Sequence, residues 1–195
     1  EVIRDAALTV SGLLNREMRG PSIFPELPEG MQPYGSWKVS DPEDRNRRSI
    51  YVFVRRNMRY PMFETFDMPD THESCSRRNS TTSPLQALTM LNNKVTLEWA
   101  QAFAGRVLQT VGPNRDRQIE TAYRLAYGRT PSASELRLAT KFFDDHSSII
   151  AERTRNNEPL ALPTLLALNF PESEAATLVD FCHMLLNSNE FVYLN

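Results

Sequence analysis

Residues 47–59 read RRSIYVFVRRNMR, and the reading of this run decides the fold class. Ile50, Phe53, Val54, Asn57 and Met58 recur at the spacing of a helical face. Ile50, Val52 and Val54 also alternate as in a strand, and the run is rich in β-branched and aromatic residues. A strand needs a partner, and no other segment of the chain offers itself as one. Most of the rest of the chain has helical periodicity. The run is therefore read as a helix that Tyr60-Pro61 ends, and the chain as an all-α, irregular helical domain. Strand content is expected below about 10 %, under the ~20–25 % of average globular proteins.

Two long ordered loops flank this run, at about 20–46 and 61–83. Residues 20–44 hold five Pro and three Gly, which excludes a helix or a central strand. Ile23, Phe24, Leu27, Met31, Tyr34 and Trp37 are apolar enough for the first loop to lie across a core surface. The second loop, PMFETFDMPDTHESCSRRNSTTS, runs into Ser83-Pro84-Leu85-Gln86, a capping-box spacing with Pro at the first helical position. A helix through Leu85, Leu88 and Leu91 pauses at Asn92-Asn93 and resumes until Gly112-Pro113. Another spans about 115–127, with Gly128 as its C-terminal cap. Ser132-Ala133-Ser134-Glu135 opens a further helix, and one more follows Pro171. The N-terminal apolar spacing from Ile3 to Met18 predicts a helix over 2–18, stopped by Gly20-Pro21. In the tail, Phe191, Val192 and Leu194 are expected to pack back. The 195 residues are read as a single helical domain.

The charges nearly balance, with 22 Lys+Arg against 24 Asp+Glu. That balance argues against a nucleic-acid partner, whose footprint is a basic excess. No apolar run reaches the ~18 residues of a membrane span. The basic residues are 19 Arg and 3 Lys, and none follows Arg155. The acidic last quarter either meets the Arg-rich middle, which is the expectation because the guanidinium fork suits carboxylates, or the two stay separate solvated faces.

The second loop carries the candidate chemistry. Glu64, Asp67, Asp70 and His72 lie close together, followed by Glu73 and Cys75. Such carboxylates either cap turns and pair with nearby arginines or hold a hard cation. No metal-binding signature is complete, so no metal is assigned. Arg77, Arg78, Asn79, Thr81 and Thr82 then lead into a helix N-terminus, a setting that favours an anion. The same residues equally serve to pair with Asp67 or Asp70 and to cap the helix. The irregular ETFDMPD segment needs side-chain partners for its polar groups. At least one of Arg47, Arg48, Arg77 and Arg78 is expected to bond Glu64, Asp67 or Asp70. No nucleophile elbow or other complete catalytic signature is present, so no catalytic residue is assigned.

Three stretches taken together, RRSIYVFVRRN into PMFETFDMPD, SCSRRNSTTSPLQALTMLNN and DFCHMLLNSNEFVYLN, resemble the planctomycete-associated family catalogued as domain of unknown function 1553. EVIRDAALTVSG and AYRLAYGRTPSASEL fit it too. The resemblance implies the C-terminal part of a large exported multidomain protein, in the periplasm or cell envelope, often with a cytochrome-c-like domain upstream. It also implies that the domain starts before Glu1. Cys182-His183 lacks the first cysteine of Cys-x-x-Cys-His, so no cofactor is assigned to this chain and any haem sits upstream. A Cys75–Cys182 bridge would contribute roughly 4–5 kcal/mol in the chain-entropy model. Cys182 nevertheless lies on an apolar helix face, and both thiols are expected free. The expected role is a structural or docking module whose partners are other domains of its parent. The alternative is part of an active or binding site for sulfated or otherwise anionic polysaccharide, built on loop 61–83.

Overall fold

A computed structural model describes residues 1–28, 30–31, 36–164 and 170–193. Tyr34 and Leu194 lie outside the described residues. Nine α-helices and no strand occur among them, so the protein is all-α. By contacts the chain divides into two compact units: Glu1–Thr9 with Leu13–Lys94, and Val10–Gly12 with Val95–Asn195.

Unit one is irregular chain braced by short helices. Helix α1 spans Val2–Ser11 and stops well short of Met18. Gly12 ends it at φ 79°, a left-handed conformation that glycine adopts without penalty, and Leu13 and Leu14 both donate back to the Leu8 carbonyl. Helix α2 (Pro42–Arg45) sits near the end of the first loop and α3 (Pro61–Thr65) at the start of the second. The loop read as irregular from residue 61 thus opens with one helical turn, which buries Met62 and Phe63.

The run 47–59 is not a helix. It holds one 3-10 turn, Ser49–Tyr51, and is otherwise extended or bent. Its missing partner lies inside the proline-rich loop. Ile23 forms a single parallel bridge to Val52, and Asn15 forms one to Arg47. Single bridges leave no strand pattern in the sequence, which is why the alternation of Ile50, Val52 and Val54 looked unpartnered.

Two buried arginines organise this unit. Arg4 donates to the carbonyls of Arg47 (2.9 Å) and Arg45 (2.6 Å) and to Ser49 Oγ (3.1 Å). Arg47 donates to the Arg19 and Pro21 carbonyls and lies over the Tyr51 ring. Irregular backbone has no ladder of its own, and the guanidinium forks satisfy its carbonyls. Aromatic contacts pin the first loop: Phe24 packs edge-on to Trp37 and stacks on Phe53, and Trp37 donates to the Pro25 carbonyl at 2.9 Å.

Helix α4, Pro84–Asn92, has the full capping box, Ser83 accepting from the Gln86 N–H while Gln86 accepts from that of Ser83. Its buried face is Gln86 and Met90; Leu85, Leu88 and Leu91, the expected inward stripe, are exposed.

Unit two is helix on helix. Helix α5 (Lys94–Val111), α6 (Arg115–Tyr127), α7 (Ala133–Arg155), α8 (Glu172–Leu186) and the short α9 (Asn189–Val192) follow in order. Gly128 closes α6 at φ 71°. Ser132 and Glu135 form the capping box of α7. Phe181 of α8, fully buried, meets Phe143 at 5.1 Å, Phe142 at 6.0 Å and Tyr123 at 6.5 Å between ring centroids. Arg129 grips Glu135 and Glu190 with 2.6–2.9 Å bonds. These bonds hold Glu135 down at about 2 and lower Glu190 also.

The acidic last quarter finds its partners at home. Glu190 pairs with Arg129, Asp180 with His146 at 2.7 Å, and Glu158 with Arg153. The expectation that these carboxylates meet the Arg-rich middle is thereby corrected. Phe191 is buried, as the tail's apolar residues suggested. Both cysteines are free, Cys75 exposed and Cys182 buried.

Candidate functional site

Loop 61–83 places its charged residues on local structure. Asp67 adopts φ 59°, a left-handed geometry that a short polar side chain tolerates. Its carboxylate accepts from the Thr81 N–H at 2.7 Å and from the Thr81 hydroxyl at 2.9 Å. Gln86 Nε2 donates to the Thr65 carbonyl and the Thr81 hydroxyl, tying the start of the loop to α4. Asp70 accepts from the His72 N–H at 2.9 Å, and that backbone bond lowers its pKa. Glu64 pairs with Arg59 at 2.9 Å.

These carboxylates do not converge. Every residue from His72 to Thr82 is exposed, including Arg77, Arg78, Asn79, Thr81 and Thr82. Among the described residues no group of three or more His, Cys, Asp or Glu is placed to hold a metal ion.

The expected bond from Arg47, Arg48, Arg77 or Arg78 to Glu64, Asp67 or Asp70 is not made among the described residues. Arg47 is turned toward backbone carbonyls of the first loop. Arg78 reaches Glu1 at 2.9 Å. Arginine does satisfy irregular backbone here, but in the other loop and through carbonyls. Asp67 is taken by Thr81, which delivers an N–H and a hydroxyl together.

Arg78 leads to a concavity that loop reading alone did not indicate. An open cleft of about 700 Å³ is built wholly within unit one. One wall is a face of α1, with Val2, Asp5, Ala6 and Thr9 at helical spacing. The facing wall includes Arg48, Ile50, Val52 and Val54, the alternating residues of the opening run. Phe63 and Met68 complete the apolar lining, and Glu1 and Arg78 stand beside it. Asp5 is committed to Ser49, accepting its N–H at 2.8 Å and its hydroxyl at 2.6 Å.

Of the residues singled out in the second loop, only Arg78 lines this cleft. Val2, Ile50, Val52 and Val54 are cleft residues that the loop-centred reading missed. The signal for three of them was the period-two alternation, which is also what a cleft wall of extended chain displays.

Residues 1–143, which include the loop and every cleft residue, match the family described as PSD1, protein of unknown function (DUF1553). The chain belongs to the DUF1553 family. No curated protein and no solved structure is found to match it. Unit one of this DUF1553 chain therefore falls entirely within the family match, whereas α8 and α9 lie beyond it. Among the described residues of the DUF1553 chain, no helix is long and apolar enough to cross a membrane.

Proposed function

We propose that this DUF1553 chain is a structural or docking module of a larger exported protein, with other domains of that protein as its partners. The observation that carries this reading is the surface of unit one. Leu85, Leu88 and Leu91 form an exposed apolar face on α4, and the eleven residues from His72 to Thr82 before it are all exposed. Contiguous apolar surface of that kind marks interaction sites. The polar groups of loop 61–83 serve turns and local pairs and do not assemble the nucleophile, base and oxyanion donors of a reaction centre.

Cys75 offers the test. It is the exposed thiol beside that surface, whereas Cys182 is buried and burial drives its pKa well up, so it resists alkylation. A benzophenone maleimide on Cys75 of the full-length parent is expected to cross-link to other domains of the same polypeptide on irradiation. Recovery of Cys75 adducts within its own loop only, with none to another domain, overturns the reading.

A second reading, a binding site for sulfated or otherwise anionic polysaccharide, rests on Arg77. Its guanidinium is exposed and has no carboxylate partner among the described residues. Retention on a sulfated-glycan column that falls steeply with salt and is lost in Arg77→Ala supports it; equal retention of both proteins sinks it.

A further inference from the structure

The cleft of unit one has unspent valences of three kinds, and together they specify an occupant. The first is backbone. In extended chain, alternate residues turn their N–H and C=O groups to opposite edges. One edge of the opening run is taken by Ile23, which donates to the Tyr51 carbonyl at 2.7 Å and accepts from the Phe53 N–H at 2.8 Å. The other edge belongs to Val52 and Val54. The Val52 N–H turns back to the Ser49 carbonyl at 3.0 Å. The Val52 carbonyl and both backbone polar groups of Val54 have no hydrogen-bond partner among the described residues.

The second is charge. Glu1 is engaged by Arg78, and Asp5 by Arg4 at 3.5 Å as well as by Ser49. Arg48 lines the same cleft, exposed and with no ion pair among the described residues. The charge left over is therefore a cation. The third is apolar surface. Val2, Ile50 and Val54 line the cleft at 65 %, 76 % and 50 % exposure.

We propose that this cleft docks an extended polypeptide segment carrying one carboxylate beside aliphatic side chains. Its backbone continues the free Val54 edge, its aliphatic side chains cover Ile50, Val54 and Val2, and its carboxylate meets Arg48. This rests on the docking reading and gives the partner a chemistry. An anionic sugar satisfies Arg48 but leaves the valine and isoleucine surface wet. An aliphatic acid covers that surface but leaves the backbone edge unmet.

The test is a random octapeptide display library selected on the 195-residue chain and counter-selected on Ile50→Glu. Ile50 and Arg48 are exposed, so Ile50→Glu and Arg48→Gln are expected to melt with the wild type, and a matching melting temperature is required of each. Enriched peptides are expected to carry Asp or Glu with aliphatic residues at alternate positions. The best synthetic peptide binds the wild type at least tenfold tighter than Ile50→Glu. Changing its carboxylate to the amide costs about as much as Arg48→Gln, and the two losses do not add. N-methylation weakens binding at alternate peptide positions only.

Enrichment of no peptide that separates wild type from Ile50→Glu overturns the proposal. So does enrichment of peptides without an acidic residue, or an Arg48→Gln variant that binds the peptide undiminished. Binding of a sulfated tetrasaccharide or decanoate that Ile50→Glu abolishes, with no peptide enriched, assigns the cleft a different occupant. If inter-domain Cys75 cross-links persist while the library fails, the cleft proposal falls alone. If the library succeeds and the cross-links are missing, the docking reading of the parent falls and the peptide preference of the cleft stands.

Discussion

The two units of this protein solve the same problem by different means. Unit two packs α6, α7, α8 and α9 against one another and caps α6, α7 and α9 with side chains a few residues away. Unit one has little regular structure, and buried Arg4 and Arg47 hold its backbone through carbonyls far away in the chain. The first method depends on periodicity and the second on a few polar anchors. Damage should therefore have a different character in each: graded with lost volume in unit two, and concentrated on single side chains in unit one.

The largest effect is expected at Phe181, where three other rings meet a fully buried side chain. Phe181→Ala should cost about 3–5 kcal/mol, the usual range for emptying an aromatic core position. Urea denaturation measures it; a loss under ~1 kcal/mol would mean that the ring cluster is not the core of unit two.

Arg4→Ala comes next. It strands two backbone carbonyls, at about 1–3 kcal/mol for each group left unpaired, partly offset by relaxation. A total near 3 kcal/mol is expected, with amide exchange accelerated first at Ile23, Ser49 and Phe53. Uniform acceleration through α7 and α8 instead would erase the contrast between the units.

A smaller effect separates the units by pH. Glu135 is held at about 2 by Arg129, against an ordinary value of 4.5. Its folded pKa is depressed, so the stabilisation is whole above 4.5 and fades as pH falls toward 2. The melting-temperature gap between wild type and Arg129→Ala should narrow on acidification from pH 6 to 2.5. A gap independent of pH would show that Arg129 acts only by packing over Tyr123 and Tyr127.

The smallest effect is expected at Leu88. Although it belongs to the apolar spacing of α4, it is exposed, and Leu88→Ala should change stability by no more than about 0.5 kcal/mol. A loss of 2 kcal/mol or more would place that face in the core after all.

Unit two was the more legible in the sequence for a physical reason. The capping box at Ser132–Glu135 and the glycine cap at Gly128 act within three or four residues, so local spacing reveals them. In unit one the deciding contacts cross tens of residues. Arg47 looked like one more cation of a basic run, although its bonds go to carbonyls that carry no residue-type signature. Gly12 was legible as a stop and was passed over because the apolar spacing continued to Met18. In the candidate site, the Asp67 turn involved the right residues with a partner, Thr81, that charge reasoning does not select. The cleft wall was visible as alternation in Ile50, Val52 and Val54, and lacked only the knowledge that Ile23 bridges it.

The buried arginines also impose an order in time. Arg4 bonds the Arg47 carbonyl across 43 residues, and Arg47 bonds Pro21 across 26. Closing such loops costs entropy before any bond repays it, and long sequence separations slow folding. A guanidinium cannot be buried until its acceptors arrive, so neither arginine can settle early. During synthesis the first helix emerges some forty residues ahead of the carbonyls that will receive Arg4. Throughout that interval this part of the chain waits unfinished, and a chaperone has its longest opportunity there.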